Sequence, residues 1–259
     1  MFLLKKLILI CTALMLVLLS ACGSSSDGDS KKKTLTMATS ADYPPFEFVD
    51  SKSSNSSISG FDIDVAKYIT KQLGYDLKIK DMEFSGLIAA LNSKRADFVI
   101  AGMLPTPERK KSVDFSDGYH QIKQVVVTSK DKNIKTIEDL KGKKVGLQLG
   151  STQEKLAESV NKQKKLGMKF EKLNKLNELV EELKTGRLDA VFSVDTVALG
   201  YLKQNNKLTS FYVPDQPDYP TAIAFPKDSK IREDFNKEIK KMKENGKMDE
   251  LVKKWFTIK

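Results

Sequence analysis

The chain is poor in the residues on which most enzyme chemistry depends: its 259 residues include one histidine, His120, and two cysteines, Cys11 and Cys22. A lone histidine with no spaced His and Cys set gives no basis for a metal site, and none is expected. Both cysteines precede residue 23, so the folded part has neither a disulfide nor a cysteine nucleophile, and its stability must come from an apolar core. A Gly-x-Ser-x-Gly elbow and a Gly-rich phosphate loop ending in Lys are also missing. No apolar run reaches the ~20 residues of a membrane-spanning helix, and no internal repeat is evident.

The longest apolar and small stretch covers 13 residues, Leu7 to Leu19, preceded by Lys5-Lys6 and followed by Ser20-Ala21-Cys22-Gly23-Ser24. A charged start, a short apolar stretch and small residues directly before a cysteine predict a signal peptide over 1–21 and lipidation of Cys22. The other reading is an uncleaved N-terminal anchor. A diacylglycerol and an N-acyl group on Cys22 would supply the more than one chain that stable anchoring requires, placing everything after it outside the membrane. Residues 22–33 are the lipidated cysteine and then only Gly, Ser, Asp and Lys; too polar to bury surface, they predict a flexible tether.

Removing residues 1–21 leaves 238 of the 259 residues, enough for one large or two medium α/β units. The formal charge of +10 falls to +8 without Lys5 and Lys6. The excess lysines are dispersed in pairs and triplets, such as Lys31-Lys32-Lys33, Lys143-Lys144 and Lys164-Lys165. Without clusters interleaved with aromatics or glycine, this reads as solvated surface, and no nucleic-acid partner is expected.

Periodicity from Leu35 onward alternates strand and helix, the pattern of parallel sheets covered by helices. Leu35–Thr39 reads as a strand, followed by a turn at Tyr43-Pro44-Pro45-Phe46, where two backbone donors are lost. After the polar loop Ser51–Ser59, Phe61, Val65, Ile69 and Leu73 recur at helical spacing up to Gly74. Tyr75–Lys80 and Asp97–Met103 read as strands around a helix at Ser85–Lys94. The same grammar restarts from Val125–Val127: a helical turn at Ile137–Leu140, strands at Lys144–Leu147, Met168–Leu173, Asp189–Val194 and Leu208–Val213, and helices opening at Gly150-Ser151-Thr152, at Leu176–Thr185 and at Thr196–Gln204. Pro214–Pro220 reads as a crossover between two lobes, ahead of a strand at Ala222–Phe225 and two amphipathic helices ending at Trp255 and Phe256.

Several segments together resemble a known family: Ala41-Asp42-Tyr43-Pro44-Pro45-Phe46-Glu47-Phe48, Gly60-Phe61-Asp62-Ile63-Asp64-Val65-Ala66, Thr106-Pro107-Glu108-Arg109-Lys110, Val113-Asp114-Phe115-Ser116 and Asp139-Leu140-Lys141-Gly142-Lys143-Lys144-Val145-Gly146. In order and spacing they resemble the polar amino-acid-binding proteins of ABC uptake systems, the family 3 solute-binding proteins, over roughly residues 34–259. The resemblance implies an α/β, two-lobed, periplasmic-binding-protein-like fold of type II with two hinge strands and a ligand cleft. Lobe 1 is then expected at 34–124 plus 223–259 and lobe 2 at 125–222. It implies a receptor that closes on a free amino acid and delivers it to an ABC permease, with ATP hydrolysed by a separate subunit. It implies no cofactor. A lipid anchor in place of a periplasm points to a Gram-positive cell, and a monomer is expected.

A zwitterionic ligand needs one fixed cation and one fixed anion, because burying either pole unpaired costs several kcal/mol. Arg109 matches the family arginine that clamps the carboxylate, a role suited to its planar fork; otherwise it is a surface arginine beside Lys110 and Lys111. Asp195 matches the carboxylate that receives the ammonium and ends a predicted strand, where ligands gather in open α/β sheets; capping the helix from Thr196 is its other reading. Thr152, at a helix N-terminus with Gly150 and Ser151, offers N–H groups and a hydroxyl. Tyr43 and Phe84 match the aromatic pair around the ligand side chain, against plain core packing. Gly102 lets backbone approach the ligand. Two positions depart from the family: Leu104 stands where Ser or Thr is common, leaving only its backbone N–H, and Ser40 stands where an Asp often meets a basic side chain. Yet Ser40–Tyr43 and Gln148–Gln153 resemble the arginine-binding branch, with Glu47, Asp42 and Gln148 as candidate guanidinium partners. A dehydratase or wall-active enzyme on the same fold is the rival reading, and it would need a positioned acid or base, for which His120 offers only a structural or rim position.

Overall fold

The structure, a computed structural model, describes residues 32–50, 57–216 and 219–256. The expected signal peptide, Cys22, nearly all of the tether and most of the polar loop from Ser51 lie outside the described residues. Among the described residues no helix is long and apolar enough to cross a membrane.

Two five-stranded sheets carry the fold. In the first, β1 (Thr34–Thr39) runs parallel to β5 (Asp76–Asp81) on one side and to β6 (Phe98–Val99) on the other. The strand β15 (Ala224–Pro226) then runs antiparallel between β6 and β7 (Val113–Phe115). The second has the order β11 (Lys169–Leu173), β10 (Lys144–Gln148), β12 (Ala190–Val194), β9 (Gln124–Ser129), β13 (Leu208–Tyr212). Its first three strands are parallel and β9 is antiparallel to both neighbours. All five residues of β12 are buried, which is why a central strand reads as an unbroken apolar run rather than an alternation.

The chain passes between the sheets twice. The strand β8 (His120–Ile122) leads from β7 to β9, β14 (Tyr219–Thr221) leads from β13 back to β15, and the two pair antiparallel, with Thr221 opposite His120 and Tyr219 opposite Ile122. The second crossing falls within the proline-rich stretch expected to hold it. Pro220 sits in a two-stranded ribbon, where a missing N–H is tolerated.

Helices cover the sheets. In α1 (Phe61–Gln72) the buried Phe61, Val65 and Ile69 keep the predicted spacing. The α2 helix (Leu87–Asn92) is shorter than expected, because Phe84–Gly86 form a separate 3-10 turn. The second sheet carries α3 (Thr152–Lys164), α4 (Leu176–Lys184) and α5 (Asp195–Gln204), and α6 (Arg232–Glu244) and α7 (Lys247–Phe256) close the chain. In α4, Leu176, Leu179, Val180 and Leu183 are all buried, each contributing roughly 1.5–3 kcal/mol from burial. A small third sheet of β2 (Asp42–Tyr43), β3 (Glu47–Val49) and β4 (Ile58–Ser59) follows β1. The strand expected over Asp97–Met103 pairs only at Phe98 and Val99; the chain then turns, with Gly102 at φ 52°.

Candidate ligand-binding site

Residues at or just past the C-terminal ends of β1, β6 and β10 converge on one cavity. It is a small, largely enclosed cavity, with about 350 Å³ of space when its open mouth is included. Its lining is Ser40, Asp42, Tyr43, Glu47, Phe84, Ala101, Gly102 and Leu104, with Arg109, Gln148, Ser151, Thr152 and Gln153. Six of the seven ligand-binding residues expected from sequence are therefore brought together: Tyr43, Phe84, Gly102, Leu104, Arg109 and Thr152.

Arg109 begins a 3-10 turn at Arg109–Lys111. Its guanidinium donates from Nη1 to the Leu104 carbonyl at 2.9 Å and from Nη2 to the Gly150 carbonyl at 3.0 Å, and lies 5.3 Å from the centre of the Phe84 ring. Its hydrogen-bond partners are carbonyls, and no carboxylate pairs with it among the described residues. Burial pulls its pKa down to about 10; the group stays charged at neutral pH and retains a demand for an anion.

Opposite Arg109 along the chain of the second sheet, α3 starts with a reciprocal cap. The Ser151 hydroxyl accepts from the Glu154 N–H at 3.1 Å, and the Glu154 carboxylate accepts from the Gly150 N–H at 2.7 Å, a variant of the Ser-x-x-Glu box in which the acid reaches the residue before the cap. Gly150 has φ 75°, and a Cβ there would meet the Ser85 Cα at 3.1 Å. Thr152 donates weakly to Gln153 at 3.4 Å, while Gln153 donates to the Gln124 side chain at 2.9 Å.

The three candidate guanidinium partners differ sharply. Asp42 is already satisfied: it accepts from the Ser40 hydroxyl at 2.8 Å, the Leu176 N–H at 2.6 Å and Gln148 Nε2 at 3.3 Å. Burial raises its pKa and those hydrogen bonds oppose the rise. Gln148 also donates to the Asn174 carbonyl at 3.2 Å, and the Ser40 hydroxyl is spent on Asp42. Glu47 is different: it is 1 % exposed, and neither of its carboxyl oxygens has a hydrogen-bond partner. Burial, and then the neighbouring Asp62, push its pKa well above the usual carboxylate range.

Asp195 is the expected residue that does not line this cavity. It is the first residue of α5 rather than its cap, and Oδ1 accepts from the Lys123 N–H at 3.2 Å and the Thr196 N–H at 2.8 Å. Its carboxylate is thus tied to the start of β9 and to its own helix, and it faces a separate surface hollow beside Val125 and Tyr212. It remains within electrostatic reach of the Tyr43 phenol, whose pKa burial chiefly raises. His120 stacks on Phe256 at 4.5 Å and lies 5.4–5.6 Å from Phe61 and Phe46. It does not line the cavity, and burial lowers its pKa. Ser151 and Gln153 line the cavity without having been chosen, although their segment marks a helix start. No cluster of three or more metal-ligating side chains occurs among the described residues.

Residues 35–258 match the model of the bacterial extracellular solute-binding proteins, family 3, and the chain belongs to that family. The arginine-binding extracellular protein ArtP of Bacillus subtilis is 46% identical over 256 residues, covering 98% of both chains. An ancestral arginine-binding protein bound to arginine superposes with a TM-score of 0.80 at 44% identity, covering 87% of this chain and 99% of its own. The arginine-, lysine-, histidine-binding protein ArtJ of Geobacillus stearothermophilus gives 0.79 at 33% identity over 86% of this chain and 95% of its own. The two-lobed α/β fold and the reading as an extracellular solute-binding receptor rest on these likenesses. They place the chain among binding proteins and not among the enzymes that share the fold.

Proposed function

We propose that the cavity captures a free polar amino acid, arginine before others, for an ABC importer. One observation carries the reading: a desolvated guanidinium held only by carbonyls and a buried carboxyl group that no donor reaches line the same small cavity. Arg109 suits the ligand carboxylate, Glu47 suits a guanidinium, and Tyr43 and Phe84 supply flat apolar walls. The name of the 46% identical relative supports arginine. Asp195 is proposed as the ammonium acceptor on its place at the end of β12 and its electrostatic reach to Tyr43; Thr152 and the Gly102 backbone complete the set.

In this reading lobe 1 comprises 34–124 plus 223–259 and lobe 2 comprises 125–222. The β8–β14 ribbon is the hinge about which they close. The closed form, as a monomer, then docks on a membrane permease whose ATPase subunit lies inside the cell. The N-terminal pattern supports export with cleavage after residue 21 and a lipid on Cys22, anchoring the receptor to the outer face of a Gram-positive cell membrane. Palmitate labelling of the expressed chain is expected to disappear in Cys22→Ala; retained label contradicts the anchor. A thermal-shift panel of the twenty amino acids with ornithine, citrulline and cystine tests the receptor itself. Arginine is expected to raise the melting temperature most, by mass action, and no shift with any of them refutes the reading.

A further inference from the structure

Glu47 on β3 and Asp62 in the first turn of α1 form a buried carboxyl pair: the Asp62 N–H donates to the carbonyl of Phe46, the residue before Glu47, at 2.9 Å, and of the two it is Glu47 that lines the cavity. Asp62 is fully buried, and its oxygens accept from the Gly102 N–H at 2.8 Å and the Tyr119 hydroxyl at 2.9 Å. Glu47 lines the cavity with both oxygens unpartnered. The titratable groups that act on the pair are Asp42 and Tyr43 from β2, Asp81 from the end of β5, and Tyr119, while the neutral His120 on β8 packs on Phe61, the residue before Asp62. None of these is a cation at neutral pH. The guanidinium that shares the cavity, Arg109, is engaged by the carbonyls of Leu104 and Gly150.

Two adjacent carboxylates cannot both stay ionised in a buried site without a cation, so the pair must hold a proton. Asp62 already receives two donors that favour its ionised form, which leaves the proton to Glu47. Resting on the reading of this cavity as an amino-acid site, we propose that the Glu47–Asp62 pair exchanges a proton for a cationic ligand side chain. With no cationic side chain bound, Glu47 is a carboxylic acid facing the Asp62 carboxylate. When a guanidinium or ammonium side chain enters, the Glu47 O–H bond breaks, the proton leaves to solvent, and the resulting carboxylate pairs with the ligand cation; net charge in the site is conserved. The direction of both perturbed pKa values agrees, with Glu47 raised well above its usual range and Asp62 raised to about 6, burial being the first cause for each.

The exchange makes affinity for cationic amino acids rise with pH, by about tenfold per unit where the free pair is protonated. Arginine's own groups do not titrate between pH 6 and 7.5, so the dependence belongs to the protein.

Calorimetric titration of the mature chain with L-arginine at pH 6.5, in phosphate and in imidazole, reads the proton directly because the two buffers differ in ionisation heat. About one proton released per arginine is expected, and none in Glu47→Gln. Binding with equal heats in both buffers overturns the exchange while leaving the amino-acid site standing. No binding heat in either buffer refutes arginine as the ligand and the exchange with it. Where Glu47→Gln fails to fold or to bind, the arginine dissociation constant of the unaltered chain from pH 6 to 7.5 decides: a fall of about tenfold per unit supports the exchange, and a flat profile overturns it.

Discussion

Gly60 shows how tightly single residues are constrained near the site. It stands at φ 139° directly before α1, and a Cβ there would come within 2.1 Å of the Phe46 carbonyl oxygen. That oxygen accepts from the Asp62 N–H, and the Pro45 carbonyl accepts from Phe61, so the junction that seats Asp62 beside Glu47 has no room to relax. Gly60→Ala is expected to cost at least about 3 kcal/mol of stability, from backbone strain and overpacking together, measured by urea unfolding; a loss under about 1 kcal/mol contradicts this. Residue roles were legible in sequence where local chemistry decides them. Arg109 could be singled out as a fixed cation from its motif, and it does line the cavity. Asp42 could not be separated from Glu47, because its partners Leu176 and Gln148 lie 134 and 106 residues away. Asp62 was hidden for a different reason: a carboxylate in the first turn of a helix reads as a favourable dipole contact, whereas here it turns inward.

Asp42 also sets the relation between elements. Its carboxylate reaches from β2 to the first N–H of α4, where the unsatisfied amides and the helix dipole favour an anion. Arg109 makes a second bond to Gly150, and an exposed Glu108–Lys155 ion pair adds a third contact worth little. Asp42→Ala strands the Leu176 N–H and Gln148 Nε2, a penalty of about 1–3 kcal/mol. Arginine affinity is expected to fall ten- to hundredfold and the ligand-free radius of gyration by X-ray scattering to rise. Unchanged scattering and affinity contradict a clasp at this position. The long periodic elements, α1 and α4, match their sequence patterns closely. The strands β2, β3 and β4 were invisible as strands because two or three residues carry no period. The helix expected from Ser85 loses its first turn to a 3-10 segment, a distinction that apolar spacing does not encode. The Ser151 cap was legible, since a Ser followed three residues later by Glu is a local signal.

At the scale of the molecule, alternating strands and helices predicted the two sheets, and the proline-rich stretch predicted the return crossing at β14. What the pattern could not supply was the distance between far-apart side chains. Asp195 shows the consequence: its position at a strand end is as expected, but its carboxylate binds the Lys123 and Thr196 amides instead of lining the cavity. In the proposed site a zwitterion needs Arg109 above all, because removing it would leave the ligand carboxylate buried and unpaired. Isothermal titration of L-arginine into the unaltered chain, Arg109→Ala and Asp195→Asn measures this most directly. Arg109→Ala is expected to weaken binding by about 2–5 kcal/mol while retaining the fold, and Asp195→Asn, whose parent carboxylate is already held by two amides, to weaken it less. Arginine bound by folded Arg109→Ala as tightly as by the unaltered chain would contradict the central claim.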